Sequence, residues 1–136
     1  MGASDNERLV LDYLDAIQKG DHQAAFEAFA ENATWQTPPS MPWPAKFEGR
    51  RAIFDEYFAV DKGLFTTGMS SYDLDCRVAA ASGDNVVVEM THRSEGLNGK
   101  RYDTDHCLVF EVRENRIQAV REYIDSLYLQ QQMIDG

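Results

Sequence analysis

The pattern of apolar and polar positions changes once along the chain, at about residue 68. Before that point, apolar residues recur every three or four positions, which is the spacing of helices with one buried face. Three helices are predicted: one that Gly20 ends, a shorter one that Asp21 caps, and one from Gly49 to about Val60. After residue 68, apolar and polar residues alternate as they do in half-buried strands.

Two stretches interrupt the helical part. Residues 33–37 predict a short strand that contains Trp35. Residues 38–48 predict an irregular loop, because four prolines in it exclude a helix and a central strand. Loops of this length are usually functional or disordered. Because this one carries Trp43, we interpret it as one wall or a lid of a pocket.

The alternating part contains a hairpin, which we place at Asn98-Gly99. Asn-Gly between strand-like residues is the strongest short-range signal for a two-residue turn, because both turn residues must adopt positive φ. Such a turn would pair Leu97 with Lys100. Side chains alternate between the faces of a strand, so one face of the hairpin would collect nine residues. They are Val87, Glu89, Thr91, Arg93, Glu95, Thr104, His106, Leu108 and Phe110.

The strand after this hairpin brings a further acid beside it. A three-residue turn that ends in a left-handed Asn115 would place Glu122 opposite His106, whereas a two-residue turn at Glu114-Asn115 would place Tyr123 there. We favour the first turn because Asn tolerates positive φ and Glu does not. Four ionisable residues would then share one face, with Thr91 between them: Arg93, Glu95, His106 and Glu122.

Four ionisable groups in a partly apolar cavity favour acid/base chemistry. Burial raises the pKa of a carboxyl towards neutrality, and Arg93 between two glutamates would determine which of them holds a proton. His106 could carry a proton or donate a hydrogen bond to a developing oxyanion. The alternative is a salt-bridged sheet face, in which Arg93 pairs with Glu95 and Glu122, and spacing alone does not decide between the two.

On the opposite face we predict His92, with Asp105 across from it in an exposed ion pair. A metal site formed by these two residues and Asp103 is the alternative, and we expect no metal. Cys76 and Cys107 lack the spacing of a metal site and are predicted to be reduced thiols.

The composition argues against several classes of binding partner. The 136 residues predict one domain over residues 1–136. A net charge of −10 argues against nucleic acid and against anionic membrane surfaces as partners. No apolar stretch approaches the ~18 residues of a membrane span. The first residues do not form a signal peptide, so we expect a cytoplasmic protein.

Three segments resemble one known family in their order and spacing: 31–35, 47–53 and 115–125. The whole chain resembles the SnoaL-like branch of the nuclear transport factor 2 superfamily, which includes ketosteroid isomerase, polyketide cyclases, scytalone dehydratase and limonene epoxide hydrolase. The resemblance implies an α+β fold in which a cone-shaped, curved antiparallel sheet wraps around three N-terminal helices and an internal apolar pocket. It also implies no metal or organic cofactor, and frequent homodimers formed through the outer sheet face.

Two members of the superfamily suggest roles for particular residues. Limonene epoxide hydrolase uses an Asp-Arg-Asp triad and a Tyr-x-Asn pair. Arg93-Ser94-Glu95 resembles its Arg-x-Asp, Glu122 falls on its second Asp, and Trp35 and Thr37 fall on the Tyr and the Asn. The chain therefore keeps the Arg and replaces the other four residues. SnoaL-like polyketide cyclases carry their acid/base carboxylate at the position that matches Glu122.

We therefore expect a cofactor-independent acid/base enzyme of the isomerase, cyclase or epoxide-hydrolase type, acting on a small apolar polyketide-, terpenoid- or steroid-like molecule. Glu122 would be the base, Arg93 and Glu95 would tune it, and His106 would assist. The substrate-binding residues would be Trp35, Thr37, Trp43, Tyr57, Phe58, Thr91 and Leu108. The alternative is a non-catalytic small-molecule-binding or dimerisation module of the same fold.

Overall fold

The computed structural model of this chain describes residues 3–135. The helices are α1 (Ala3–Lys19), α2 (His22–Glu27), α3 (Arg50–Ala52) and α4 (Ser126–Leu129). The strands are β1 (Phe29–Gln36), β2 (Lys46–Glu48), β3 (Asp73–Ser82), β4 (Asn85–Glu95), β5 (Arg101–Arg113) and β6 (Arg116–Tyr123). Among the described helices, none is long and apolar enough to cross a membrane.

The six strands form one curved sheet in the order β2-β1-β6-β5-β4-β3. Neighbouring strands are antiparallel except β1 and β6, which are parallel, so the sheet is mixed and the expectation of a wholly antiparallel sheet is wrong. Helix α1 packs against β3 and β4, and α3 against β1. The core between these layers includes fully buried Val10, Phe29, Val86 and Phe110. The predicted α+β class, with helices on one side of a curved sheet, is confirmed.

Local signals explain the first two helices. Gly20 follows α1 with a φ of 77°, and a Cβ there would lie 2.4 Å from the carbonyl oxygen of Ser70, so glycine alone fits. Asp21 then caps α2, because its side chain accepts a hydrogen bond from the backbone N–H of Ala24 at 3.2 Å.

The third helix is less regular than predicted. After α3 the chain continues as a π turn over Ile53–Tyr57 and a 3₁₀ turn over Phe58–Gly63. A π turn inserts an extra residue into the helical repeat and is frequent at functional sites. It precedes Phe58 and Asp61, whose side chains line the internal cavity described below.

Two strand boundaries differ from the prediction. β1 begins at Phe29, four residues earlier than expected. β2 lies within the stretch 38–48 that we predicted to be wholly irregular, and its Phe47 pairs with Trp35. The prolines explain why β2 begins only at residue 46. All four precede residue 45, so the N–H groups of the following residues are free to join the sheet.

The predicted two-residue turn at Asn98-Gly99 is wrong. Gly96 donates a backbone hydrogen bond to the carbonyl of Lys100 at 2.7 Å, so three residues, 97–99, reverse the chain. Only Gly99 has positive φ (83°), which is the arrangement of a three-residue hairpin loop with a glycine at its end. Asn98 instead uses its side chain, which accepts a hydrogen bond from the backbone N–H of Lys100 at 3.0 Å.

The additional loop residue changes which residues of β4 and β5 face each other. His106 pairs with Met90, and Asp105 pairs with Thr91. A slip of one residue moves every side chain of one strand to the other face relative to its partner. The face of β4 that shares the core with His106 therefore carries Val86, Val88, Met90 and His92.

The next turn departs from the prediction as well, but without changing the face of Glu122. Glu114 and Asn115 both have positive φ (53° and 59°), so the turn is the two-residue form that we had disfavoured. A β-bulge before Val112 then adds a further shift. The total slip is two residues, so Glu122 and His106 remain on one face although they are not directly opposite each other.

Candidate active site

An internal cavity of about 80 Å³ lies between the helices and the sheet, which is room for several water molecules or part of a small ligand. Eight aromatic side chains line it. Apart from tyrosines, its titratable side chains are two acids and two histidines: Asp61, His92, His106 and Glu122. Among residues 3–135, no lysine or arginine lines the cavity. The cavity is therefore largely apolar, with a few polar groups that could orient a ligand.

Glu122 is the most strongly held of these groups. It lies on β6 and is 8% exposed. Its Oε1 accepts one hydrogen bond from Trp35 Nε1 at 3.1 Å and a very short one from the Tyr57 hydroxyl. Its Oε2 lies 3.1 Å from Nδ1 of His106. Two donors and one imidazole, from three different elements, therefore surround one carboxylate at the cavity wall.

His106 connects Glu122 to further polar groups. Its Nδ1 lies close to Glu122 without forming a regular hydrogen bond with it, so the contact is an ion pair only when the imidazole is protonated. Its Nε2 lies 3.1 Å from the hydroxyl of Tyr102, four residues earlier on the same strand face. His92 stacks on His106, with 5.5 Å between ring centroids and 9° between ring planes.

Glu122 and His92 differ in charge at neutral pH. Burial by itself would raise the pKa of Glu122, but His106, together with the hydrogen bonds from Tyr57 and Trp35, outweighs burial and lowers it. Glu122 is therefore ionised at neutral pH. Burial, and then the charge of His106, lower the pKa of His92 to about 4, so that His92 is neutral.

Asp61 is a candidate site residue that the sequence analysis missed. Its Oδ2 accepts a hydrogen bond from the Tyr72 hydroxyl at 2.6 Å. Burial raises the pKa of Asp61 to about 7; the bond from Tyr72 opposes this effect and the charge of Glu122 adds to it. One signal was available, because Asp61 follows Tyr57 and Phe58 at spacings of four and three residues, which places all three on one helical face.

Most of the predicted site residues do lie on the cavity wall. Besides Glu122 and His106, these are Trp35, Trp43, Tyr57, Phe58 and Leu108. Thr37 is buried but is not part of the wall; its backbone N–H donates to the carbonyl of Ala45 at 2.8 Å at the base of the loop.

The predicted placement of Arg93, Glu95 and Thr91 in the pocket is wrong. The three-residue loop turns their side chains to the outer face of the sheet, away from Glu122 and His106. The guanidinium of Arg93 lies there 3.4 Å from a carboxylate oxygen of Asp73 on β3. Glu95 is exposed, and the hydroxyl of Thr91 donates to a carboxylate on β5 at 2.8 Å.

The same register corrects the outer-face prediction for His92. His92 is 6% exposed and lines the cavity, whereas Asp105 accepts a hydrogen bond from Thr91 outside it. The expected ion pair between His92 and Asp105 is therefore wrong, and the two residues cannot share a metal with Asp103. Within residues 3–135, no group of three or more His, Cys, Asp or Glu side chains is arranged to hold a metal.

Besides Nδ1 of His106, two buried polar atoms on the cavity wall have no hydrogen-bond partner in the described part of the chain. They are the hydroxyl of Tyr13 and Nε1 of Trp43. Buried polar atoms in native proteins usually have a partner in the protein or in bound water. These two donors are therefore candidates to contact oxygen atoms of a ligand.

The chain is similar to known proteins in sequence and in fold. The model of one protein family, the SnoaL-like domain, matches residues 10–120. Bal32a, from a soil-derived mobile gene cassette, is 31% identical, with a TM-score of 0.75 and 93% of each chain covered.

Two further structures share the fold at lower identity. One is an LEH-like epoxide hydrolase from M. tuberculosis, with 20% identity and a TM-score of 0.74; 98% of this chain and 92% of that chain are covered. The other is a proposed polyketide cyclase from Xanthomonas campestris pv. campestris, with 20% identity and a TM-score of 0.78; 96% of this chain and 97% of that chain are covered.

Proposed function

Since this chain belongs to the SnoaL-like domain family, we propose that it is a cofactor-independent acid/base enzyme of the isomerase, cyclase or epoxide-hydrolase type. One observation carries the proposal: a buried, ionised carboxylate, Glu122, accepts two hydrogen bonds and contacts His106 on the wall of an aromatic cavity. The epoxide hydrolase and the proposed polyketide cyclase that share the fold support reactions of this kind.

The cavity wall favours an uncharged, largely apolar substrate. Its eight aromatic side chains offer faces and edges for stacking against rings. An anionic ligand would meet the ionised Glu122 with no lysine or arginine on the described wall to neutralise it. A small ring-containing molecule with one or two oxygens fits both features, because Tyr13 and Trp43 offer it unpartnered donors.

Glu122 would act as the base. It is ionised at neutral pH and could accept a proton from a carbon next to a carbonyl group or from a water molecule that attacks an epoxide. Trp35 and Tyr57 would hold the carboxylate in one orientation, and His106 would balance its charge. The Tyr102 hydroxyl, bonded to the other nitrogen of His106, would in turn keep the imidazole in place.

The test uses two probe substrates. In D₂O, 2-tetralone should gain deuterium next to its carbonyl faster with the protein than in buffer, as followed by mass spectrometry. Styrene oxide should be converted to its diol if the reaction is instead hydrolysis. Glu122→Gln should lower whichever rate is observed by about 10²-fold or more, while the matched outer-face variant Glu95→Gln should retain it. Equal loss in both variants would contradict the proposal.

A second candidate function has its own supporting observation. The hydrogen bonds and ion pair that lower the pKa of Glu122 also make it a weaker base, which suits a structural pair in a binding module. Such a module would bind 2-tetralone, seen as a change in tryptophan fluorescence from Trp35 and Trp43, without deuterium exchange and with little effect of Glu122→Gln.

A further inference from the structure

A second acid reaches the cavity at some distance along the sheet from Glu122. Asp61 lines the cavity from the 3₁₀ turn, and its carboxylate is bound by Tyr72, which directly precedes β3. Glu122 lies on β6, and the strands β5 and β4 separate β6 from β3. The two acids therefore come from different parts of the wall, so one ligand in the cavity could contact both.

The surroundings of Asp61 contain no compensating positive charge. The titratable groups on the wall from the elements packed around it are Tyr13 of α1, Tyr57, Tyr72, His92 of β4, Tyr102 and His106 of β5, and Glu122. Lys62, the next residue in the chain, is exposed. Asp61 forms no ion pair with any described lysine, arginine or histidine. A carboxyl in such a place favours its neutral, protonated form.

We propose that Asp61, held by Tyr72, is the general acid of this cavity and donates its proton to a carbonyl or hydroxyl oxygen of the substrate. This inference rests on the proposed function, in which Glu122 accepts the proton. Two carboxyl groups whose surroundings push their pKa values apart, as those of Asp61 and Glu122 are, can take the opposite roles of acid and base. The proposed role of Asp61 also limits the substrate to a molecule with an oxygen atom that can accept the proton of Asp61.

With a ketone the step balances. Glu122 removes a proton from the carbon next to the carbonyl, and the electron pair of that C–H bond becomes the new carbon–carbon double bond. The carbonyl π electrons take the proton of Asp61 and form the O–H bond of an enol. Asp61 is left as a carboxylate that keeps its hydrogen bond from Tyr72. In the reverse step Glu122 returns its proton to the same or another carbon and becomes a carboxylate again, while Asp61 takes the proton of the enol O–H.

The first measurement needs no substrate. Infrared difference spectra of the full chain between pH 5 and pH 9 should show the carbonyl stretch of a protonated carboxyl that disappears as the pH rises through about 7. Asp61→Asn should remove this signal, and the matched control Asp55→Asn, an exposed acid on the preceding turn, should keep it. If Asp61 is already ionised at pH 5, the proposal is overturned.

The second measurement follows deuterium exchange of 2-tetralone. Asp61→Asn should lower the exchange rate by about 10²-fold while tryptophan fluorescence still reports binding; Asp55→Asn should change neither. The rate of the unmodified chain should fall as the pH rises through about 7. Because the bond from Tyr72 lowers the pKa of Asp61, Tyr72→Phe should move this fall to higher pH, and it tests the role even if Asp61→Asn does not fold.

The outcomes separate this inference from the proposed function. If the unmodified chain exchanges 2-tetralone and loses the activity in Glu122→Gln but not in Asp61→Asn, the role of Asp61 is overturned and the proposed function stands. If the unmodified chain turns over neither 2-tetralone nor styrene oxide, the proposed function is overturned. The role of Asp61 as general acid is then overturned as well, whatever the infrared titration shows.

Discussion

The two faces of the sheet carry similar charged groups with different consequences. On the inner face, Glu122 and His106 are 8% and 7% exposed at their side chains and lie 3.1 Å apart. On the outer face, Arg93 and Asp73 are 40% and 69% exposed and lie 3.4 Å apart. The distances are similar, but water screens the outer pair and not the inner one.

This difference shows that burial, more than residue type, decides whether a pair of ionisable side chains can form a functional site. The outer arginine was predicted to belong to a catalytic group, yet water competes for it and for its two aspartate partners. The inner pair is enclosed by aromatic rings, and Trp35 and Tyr57 satisfy the remaining oxygen of Glu122. An exposed pair contributes about 0–1 kcal/mol to stability, whereas breaking a buried pair costs about 3–5 kcal/mol.

The largest effect on stability is expected at the inner pair. Glu122→Gln should lower the free energy of unfolding by about 3 kcal/mol, because the neutral amide cannot match Trp35, Tyr57 and His106, which surround the buried carboxylate. Chemical denaturation at pH 7 measures this change. The outer-face variant Glu95→Gln should stay within about 0.5 kcal/mol of the unmodified chain; a similar loss in both variants would remove the contrast between the faces.

A somewhat smaller effect is expected from His92 and depends on pH. The pKa of His92 is about 4 in the folded chain and about 6.5 in an unfolded chain. The unfolded state therefore binds a proton first, and stability is lost as the pH falls from about 6.5 to about 4, by roughly 2–3 kcal/mol.

His92→Phe keeps an aromatic ring in the stack with His106, but phenylalanine cannot bind a proton. Much of the loss of stability at low pH should therefore disappear in this variant. Thermal unfolding at several pH values between 4 and 7 is the measurement. The surface variant His22→Gln is the control and should lose stability in acid as the unmodified chain does. The idea fails if His92→Phe follows the same pH curve as that control.

Removing a single hydrogen bond to Glu122 should have a smaller effect on the free energy of unfolding. Tyr57→Phe removes one donor from the Glu122 carboxylate and should cost about 1.5 kcal/mol of stability, as bonds to charged groups do. Because the bond from Tyr57 lowers the pKa of Glu122, its loss should also raise that pKa. Denaturation at pH 7, and an infrared titration of the carboxylate, would show both effects; an unchanged pKa would mean that His106 and Trp35 alone keep Glu122 ionised.

The smallest effect is expected on the outer face. Arg93→Ala removes both ion pairs with β3 and should change the free energy of unfolding by less than about 1 kcal/mol, with 2-tetralone exchange unaffected. A loss of activity comparable to that of Glu122→Gln would support the catalytic role that the sequence suggested for Arg93. It would contradict the strand register that places Arg93 on the outer face.

Particular residues show how far sequence reasoning reached. The helix ends at Gly20 and Asp21 and the strand pattern after residue 68 were predictable, because each depends on neighbours in the chain. Glu122 and His106 were correctly placed on one face, but only because the unexpected turn and the bulge each shift the register by one residue and together preserve the face. Asp61 was missed because its distinction comes from burial beside Tyr72, a residue that only the fold brings near it.

The sequence by itself determined which residues within each strand share a face, because that alternation is local. Only the tertiary structure decided which face of β4 is the inner one. The loop that sets it is held by distant groups: Leu97 donates to the carbonyl of Leu64 at 2.9 Å, and the side chain of Asn98 donates to the carbonyl of Gln132 at 2.8 Å. These contacts favour three loop residues over two, and that single residue moves an arginine out of the cavity and a histidine into it.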